Sequence, residues 1–121
     1  MNQLKQAQQI TDLLSNWVRA LRAKDIAAIT SIYHNDIIAF DAIGQLQFKG
    51  LADYRAHWQR CMEFCSGESF FEMHQLQVQA TEQLAFTHFL THCGGTNDKG
   101  ELQKCWMRAT QCWQHGSNGW Q

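Results

Sequence analysis

Asp41 is the side chain whose setting most clearly indicates chemistry. It is the only charge in the stretch 37–44 (IIAFDAIG), whose apolar residues predict a short buried strand. A carboxylate in apolar surroundings is costly unless it is paired, hydrogen-bonded or put to use. Such surroundings favour the protonated acid, and general bases that work near neutral pH are tuned in this way. Asp41 is therefore a candidate general base, and the alternative is that it only caps the following turn, which ends at Gly44.

Five other side chains are candidates for a ligand site. Large aromatic rings at the mouth of a cavity suit a flat apolar ligand, although such rings more often pack in the core. Arg108, midway along a predicted strand, could pair with an acid, bind an anionic ligand or point to solvent from the other sheet face. The candidates for ligand binding are Trp17, Tyr33, Trp58, His88 and Arg108.

No metal or cofactor site is predicted. His57, Cys61 and Cys65 are spaced four apart on one predicted helix and could present a metal-binding face. The stripe around them is apolar, however, and buried cysteine usually behaves as a small hydrophobic residue. The six histidines are scattered without a ligand motif, and no cysteine has the sequence context of a covalent nucleophile.

Composition limits the class of protein. A chain of 121 residues is expected to form one domain, residues 1–121. Its ten basic and eleven acidic residues nearly cancel, which gives no reason to expect nucleic acid as a partner. No run of eighteen apolar residues predicts a membrane span, and the N-terminus lacks the apolar block of a signal peptide. Five cysteines, an odd number, favour a reducing compartment, so we expect a cytoplasmic location.

The first half of the chain predicts three helices. From Leu4 to Leu21 apolar residues recur at the three-and-four spacing of a helix with one buried stripe. Asp25 is placed to cap a short second helix, and a third is expected from about Leu51 to Cys65. A short strand is expected at residues 46–48, between the second and third helices.

The second half predicts three long strands. They cover about 69–80, 84–93 and 101–115, with 94–100 as a hairpin loop. In the middle strand Phe86, His88, Leu90 and His92 share one face by alternation. Helices followed by long strands predict an α+β fold, in which three N-terminal helices cover one face of a curved, mostly antiparallel sheet. Such a cone has one open end where a pocket forms.

This order resembles the nuclear-transport-factor-2-like (NTF2-like, or cystatin-like) superfamily, in particular its ketosteroid-isomerase and SnoaL-like branch. The similar stretches are residues 17–26, 29–33 and 36–44, and the later pattern Thr-x-x-Trp at Thr110–Trp113. The resemblance implies a cone-shaped barrel, places Asp41 on the catalytic base of the steroid isomerases, and places His88 at a basic position. It is specific for the fold and weak for function, because this fold carries many unrelated sites.

Three departures separate this chain from the steroid isomerases. Those enzymes stabilise a dienolate with a tyrosine and a protonated aspartic acid. Here Trp17 stands in the tyrosine's place, Trp58 in that of a supporting tyrosine, and residues 109–111 contain no acid. Loss of one oxyanion donor typically costs about two to three orders of magnitude in rate, so ketosteroid isomerisation itself is not expected.

The resemblance also bears on assembly. Relatives continue after the last Gly-x-Trp with another strand, whereas this sequence stops at Gln121, so we expect the closing strand to be short or missing. An uncovered sheet edge invites a partner. By analogy with the family, a homodimer through the outer face of the sheet is expected.

Two hypotheses for function follow. In the first, the protein is a proton-transfer isomerase or cyclase that works without a cofactor on a small apolar molecule, with Asp41 as base. In the second, it is a non-catalytic ligand-binding or association module, in which Asp41 only orients a ligand or caps its turn.

Overall fold

The computed structural model describes residues 2–41, 43–64, 69–96 and 99–121. In chain order its elements are α1 Asn2–Ala23, α2 Ile26–Thr30, β1 Ile38–Ala39, β2 Phe48–Lys49, α3 Leu51–Phe64, β3 Ser69–Ala80, β4 Leu84–Thr96, β5 Leu102–Gly116 and β6 Gly119–Trp120. β1 and β2 form a small antiparallel ribbon, and β3-β4-β5-β6 form an antiparallel sheet in that order. The helices pack on the concave face of the curled sheet, which confirms the predicted α+β cone.

α1 supplies the main contact with the sheet. Its apolar stripe places Ile10, Leu14, Trp17 and Leu21 in the core, where Ile10 and Leu14 are fully buried. Burial of one such aliphatic side chain is worth about 1.5–3 kcal/mol. The stripe packs against residues of β3 and β4. The concave face of the sheet is therefore the one that the helix covers, and it is called the inner face below.

The junction between α1 and α2 is closed by local hydrogen bonds. Lys24 has a left-handed φ of 56°, and its N–H donates to the Leu21 carbonyl while the Asp25 N–H donates to that of Ala20. This pair of bonds is a Schellman-type helix end. The Asp25 carboxylate then accepts from the Ala28 N–H at 3.2 Å, which confirms the predicted cap of α2.

β4 alternates between the two faces of the sheet. Ala85, Thr87, Phe89 and Thr91 are buried on the inner face, while Phe86 and His88 are exposed on the outer face. The fully buried Thr87 hydroxyl donates to Gln111 Oε1 at 3.1 Å and accepts from Trp113 Nε1 at 3.3 Å. β3 carries an irregularity between His74 and Gln77, which bends that strand.

Two details differ from the sequence predictions. The stretch 37–43 is not a buried strand: β1 has two residues, and Ile38, Phe40 and Ile43 are 58%, 77% and 57% exposed. Among the described strands, β1 pairs only with the two-residue β2 and is not part of the main sheet. The main sheet therefore does not bury the outward-facing side chains of this stretch. In addition, β4 continues to Thr96 through a diglycine that the sequence placed in the hairpin loop. Within the described residues, no helix is long and apolar enough to cross a membrane.

The first prediction concerns Gly94. A Cβ built there would overlap the Gln103 carbonyl oxygen and lie 2.8 Å from Lys104 Cα, so Gly94→Ala must push β4 and β5 apart. We expect a loss of about 1–3 kcal/mol in the free energy of unfolding, measured by urea denaturation.

Gly116→Ala is the matched control. Gly116 also lies in β5–β6 pairing, but a Cβ there meets nothing within 4 Å, so its effect should stay within about 0.5 kcal/mol. Equal effects of the two substitutions would contradict the close approach of the strands at Gly94.

Candidate functional site

An aromatic cavity of about 830 Å³ lies between the helices and the inner face of the sheet. Its walls come from α1, α3, β3, β4 and β5, and from the segment around β1. Its lining residues include Trp17, Tyr33, Asp41, Tyr54, Trp58, Phe71 and Phe89. Asp41 is the only carboxylate among the described lining residues.

Asp41 makes two different hydrogen bonds with its two oxygens. Oδ2 lies 3.2 Å from His57 Nε2, and Oδ1 accepts from the Ile43 N–H at 3.1 Å. The side chain is 24% exposed. Asp41 therefore caps its own turn and also lies at the cavity, while its role as a base stays a prediction.

His57 is the partner that holds the Asp41 carboxylate. It is 3% exposed and lies on α3, with its ring packed on Phe48 at a centroid distance of 4.2 Å. An ionised carboxylate only accepts, so Nε2 carries the hydrogen in this contact. Cys61, one helical turn further along α3, places its Sγ 3.7 Å from the same nitrogen.

Gly44 allows the loop after Asp41 to pass over the imidazole. Its φ is +85°, a conformation that side chains other than glycine rarely adopt, and a Cβ there would lie 3.4 Å from His57 Cε1. The glycine that ends the apolar stretch thus brings Asp41 and His57 together.

Two phenols lie beside this pair. The rings of Tyr33 and Tyr54 are 5.1 Å apart, and Trp17 Nε1 donates to the Tyr33 hydroxyl at 3.0 Å. Burial, and then the negative charge of Asp41, raise the pKa of Tyr54 from 10.0 to about 12. Burial, and then the neighbouring Tyr54, raise the pKa of Tyr33 well above 10.0. Both side chains are therefore neutral hydrogen-bond donors at physiological pH.

Trp58 brings an indole N–H to the same place. Its ring meets those of Trp17 and Tyr54 edge to face, at 6.2 and 5.8 Å. The N–H is buried and has no hydrogen-bond partner within the described part of the chain. The Trp58 N–H partly offsets the increase in the pKa of both phenols. It forms no hydrogen bond to either hydroxyl by distance and angle, but its positive end faces their oxygens.

The structure brings four of the six predicted site residues together and separates the other two. Asp41, Trp17, Tyr33 and Trp58 line one cavity. The prediction that His88 belongs to this pocket is wrong, because His88 pairs with Gln77 and Thr110 on the outer face and is exposed.

Arg108 is the other separated residue. It borders the cavity at its rim on β5, but its pairing with Leu90 places its exposed side chain on the outer face. His92 is also on the outer face, where it lies 3.0 Å from Glu72 and stacks on Trp106 at 4.4 Å. Arg108 could pair with an acid, bind an anionic ligand or point to solvent from the other sheet face. Its position on the outer face agrees with the third of these alternatives.

Tyr54 and His57 are the site residues that the sequence did not assign to the ligand site, although His57 was one of the three candidate metal ligands. The available signal was their spacing: Tyr54, His57, Trp58 and Cys61 recur at three and four residues, which places them on one face of α3. Of the metal-site candidate, Cys65 lies outside the described residues, and no group of three ligating side chains occurs in the part that is described.

The candidate site is not the larger of the two clefts described here. A second cleft of about 1160 Å³ lies between the N-terminal end of α1 and the β3–β4 turn. Its lining contains neither Asp41 nor either tyrosine, and the histidine and acid that it does contain, His34 and Asp36, are exposed. The smaller, aromatic cavity is the one that carries the converging polar groups expected of a ligand site.

Comparison with known proteins identifies the family. A family model described as a SnoaL-like domain matches residues 14–118, so this chain belongs to the SnoaL-like family, within the NTF2-like superfamily. An NTF2-like protein of unknown function from Pseudomonas putida KT2440 is 43% identical over 95% of this chain and 80% of its own, with a TM-score of 0.87. No curated protein matches.

More distant structures share the fold. A ketosteroid isomerase-like protein from Erwinia carotovora atroseptica SCRI1043 is 19% identical, with 95% of this chain and 88% of that chain covered and a TM-score of 0.78. A proposed dehydratase of the NTF2-like family from Streptomyces avermitilis is 13% identical, with coverages of 96% and 90% and a TM-score of 0.79. At these identities the likeness concerns the fold alone.

The second prediction uses the phenols, because Tyr33 and Tyr54 are the only tyrosines of the chain. A spectrophotometric titration should show no tyrosinate near pH 10 in the folded protein. Replacing Asp41 with Asn removes a negative charge, so the pKa of Tyr54 should fall below about 12. Asp12→Asn, on the exposed face of α1, should leave the titration unchanged.

The same shifts predict a pH limit to stability. Both folded-state pKa values lie above the ordinary value of 10.0, so the stabilisation is fully present below pH 10 and is lost as the pH rises towards about 12. Circular dichroism should therefore show alkaline unfolding only above pH 10. A phenol that titrates normally in the folded state would contradict the buried arrangement.

Proposed function

We propose that this protein catalyses a proton transfer on a small apolar carbonyl compound, with Asp41 as the base. The observation that carries the proposal is the contact between Asp41 and the buried His57 at the wall of the aromatic cavity. A base must be held in position and must reach the cavity, and Asp41 meets both conditions. The names of the isomerase-like and dehydratase-like neighbours support the reaction class.

The proposed step begins with Asp41 as carboxylate. It removes a proton from the carbon next to a carbonyl group, while His57 Nε2–H holds the oxygen that is not attacking. The carbonyl oxygen then becomes an enolate, which the Trp58 N–H or a phenol can stabilise by donating a hydrogen bond. Return of the proton to another carbon completes an isomerisation. In a dehydration, the enolate expels a hydroxyl group from the next carbon, and the proton held by Asp41 leaves with it as water. In a cyclisation, the enolate carbon attacks a second carbonyl carbon of the same molecule, and the alkoxide that forms takes the proton from Asp41.

The third prediction tests this role. In a screen of enolisable ketones and lactones, deuterium uptake next to the carbonyl group is followed by NMR. Asp41→Asn should lower the rate about 100-fold or more, since a positioned base contributes about 10²–10⁴. Asp12→Asn is the control for a charge change at an exposed site. An unchanged rate in Asp41→Asn would refute the proposal.

The alternative is a ligand-binding or association module without catalysis. One observation favours it: Asp41 Oδ1 caps the Ile43 N–H, so the residue already has a structural task. In this case Asp41→Asn would alter ligand affinity or loop stability while no substrate in the screen exchanges protons with the wild-type protein.

We also propose that two copies associate through the outer face of the sheet, in a cytoplasmic setting. This face carries Phe86, Leu102 and Trp106, which are 44%, 60% and 57% exposed. Patches of large apolar residues on a sheet face commonly mark interfaces. Cys105 and Cys112, both exposed, carry thiol groups and form no disulfide in this structure, which fits a reducing compartment.

The fourth prediction concerns this face. Light scattering after size-exclusion chromatography should give a dimer for the wild type and a monomer for Trp106→Lys, because a buried unpaired charge is costly. Asn16→Lys, on the exposed side of α1, should remain a dimer. A monomeric wild type would exclude the interface.

A further inference from the structure

Cys93 and Cys105 face each other across two neighbouring strands. The antiparallel register of β4 and β5 pairs them directly, between the rungs His92–Trp106 and Gly94–Lys104. Residues opposite each other in such a ladder have Cα atoms about 4.5–5.5 Å apart and side chains on the same face. A disulfide needs Cα atoms about 4.4–6.8 Å apart, so the backbone already has the required separation.

We infer that Cys93 and Cys105 form a reversible cross-strand disulfide. Both residues carry thiol groups, Cys93 half-buried and Cys105 exposed, so a small oxidant can reach the pair from the Cys105 side. The inference concerns a covalent modification and does not depend on the proposed proton transfer.

The neighbouring rung shows that the two strands approach closely here. Gly94 follows Cys93, and a Cβ on Gly94 would lie only 2.8 Å from Lys104 Cα. Opposite Cβ atoms in a sheet are usually about 4.5–5.5 Å apart, whereas a disulfide holds them at about 3.8 Å. A close approach, next to the flexible pair Gly94–Gly95, reduces the movement that the bond requires.

The chemistry is thiol–disulfide exchange with a low-molecular-weight disulfide such as oxidised glutathione. The Cys105 thiolate attacks one sulfur, which forms a mixed disulfide and releases one glutathione thiolate. The Cys93 thiolate then attacks the Cys105 sulfur, so the mixed disulfide breaks, the Cys93–Cys105 bond forms and the second glutathione thiolate leaves. Each protein thiol loses a proton, the two sulfurs lose two electrons in all, and glutathione disulfide is reduced to two thiols.

The position of the pair gives the bond a consequence for the cavity. Cys93 continues the inner-face series of β4 beyond Thr91, and its partner on β3 is Phe71. Phe71, Thr91 and Met107 all line the aromatic cavity. The bond would therefore join β4 and β5 at the next inner-face rung beyond the cavity. Cross-strand bonds that need some adjustment of the backbone are strained, and strained disulfides are readily reduced.

The test is a redox titration of the whole chain. Folded protein is equilibrated with mixtures of reduced and oxidised glutathione, alkylated, and mapped by peptide mass spectrometry at all five cysteines. We expect a species that lacks two hydrogens, with Cys93 and Cys105 protected from alkylation together, and its full reversal by excess reduced glutathione. Wild-type protein suffices for this measurement, so it does not depend on whether a variant folds.

Matched variants locate the bond. Cys112→Ser, at an exposed outer-face cysteine opposite Phe86, should keep the two-hydrogen loss. Cys93→Ser should abolish it and leave Cys105 as the glutathione adduct. Hydrogen exchange should show at least a tenfold slower exchange of the amides between residues 94 and 104 in the oxidised protein.

Two results would overturn the inference. One is that Cys93 and Cys105 stay open to alkylation while the glutathione mixture oxidises other thiols. The other is that the two-hydrogen loss maps to Cys61 or Cys112 and persists in Cys93→Ser.

Discussion

The buried indole of Trp17 is the contact on which the rest of the structure depends. Its ring meets Phe71 of β3 at 5.5 Å and Phe89 of β4 at 6.1 Å, and it also packs edge-on against Trp58 of α3. One side chain of α1 therefore touches the edge strand β3, its neighbour β4 and the third helix. An unsatisfied N–H is costly in this core, and the Tyr33 hydroxyl accepts the hydrogen bond of Trp17. The need to satisfy one indole thus orients the first phenol of the site.

This arrangement changes the meaning of the departure from the steroid isomerases. A tryptophan in place of their tyrosine removes a phenol from one position, but here the indole supports another phenol, which lies beside a second. Donors therefore remain at the cavity, supplied by Tyr33 and Tyr54 together with Trp58. The absence of the two oxyanion donors of the steroid isomerases therefore does not leave Asp41 without hydrogen-bond donors nearby. The resemblance did not single out Tyr54, which is one of them.

The sequence predicted the elements that local residue patterns determine. It failed where the packing of distant segments determines which face of an element is buried. The stripe of α1, the Asp25 cap and the bounds of β3 follow from local patterns. The side of β4 that faces the helices does not, because Phe86 and Leu90 on one face are as apolar as Ala85 and Phe89 on the other. The resemblance alone places His88 at the pocket, and the neighbours of Arg108 in the sequence leave its sheet face open. The contact between Asp41 and His57 depends on a glycine turn that brings together residues sixteen positions apart, which no local pattern indicates.

The charges around the cavity restrict the chemistry that it can support. Asp41 is the only acid among the described lining residues, and the one cation at the rim, Arg108, points its side chain outward. An anionic ligand would meet the Asp41 carboxylate without a compensating charge, which is costly in apolar surroundings. A neutral ligand avoids this cost. In the proposed reaction Asp41 takes a proton, the negative charge moves to the ligand oxygen, and the total charge inside the cavity stays the same. Neutral phenols, whose raised pKa keeps their protons in place beside Asp41, stabilise that charge without adding a second one.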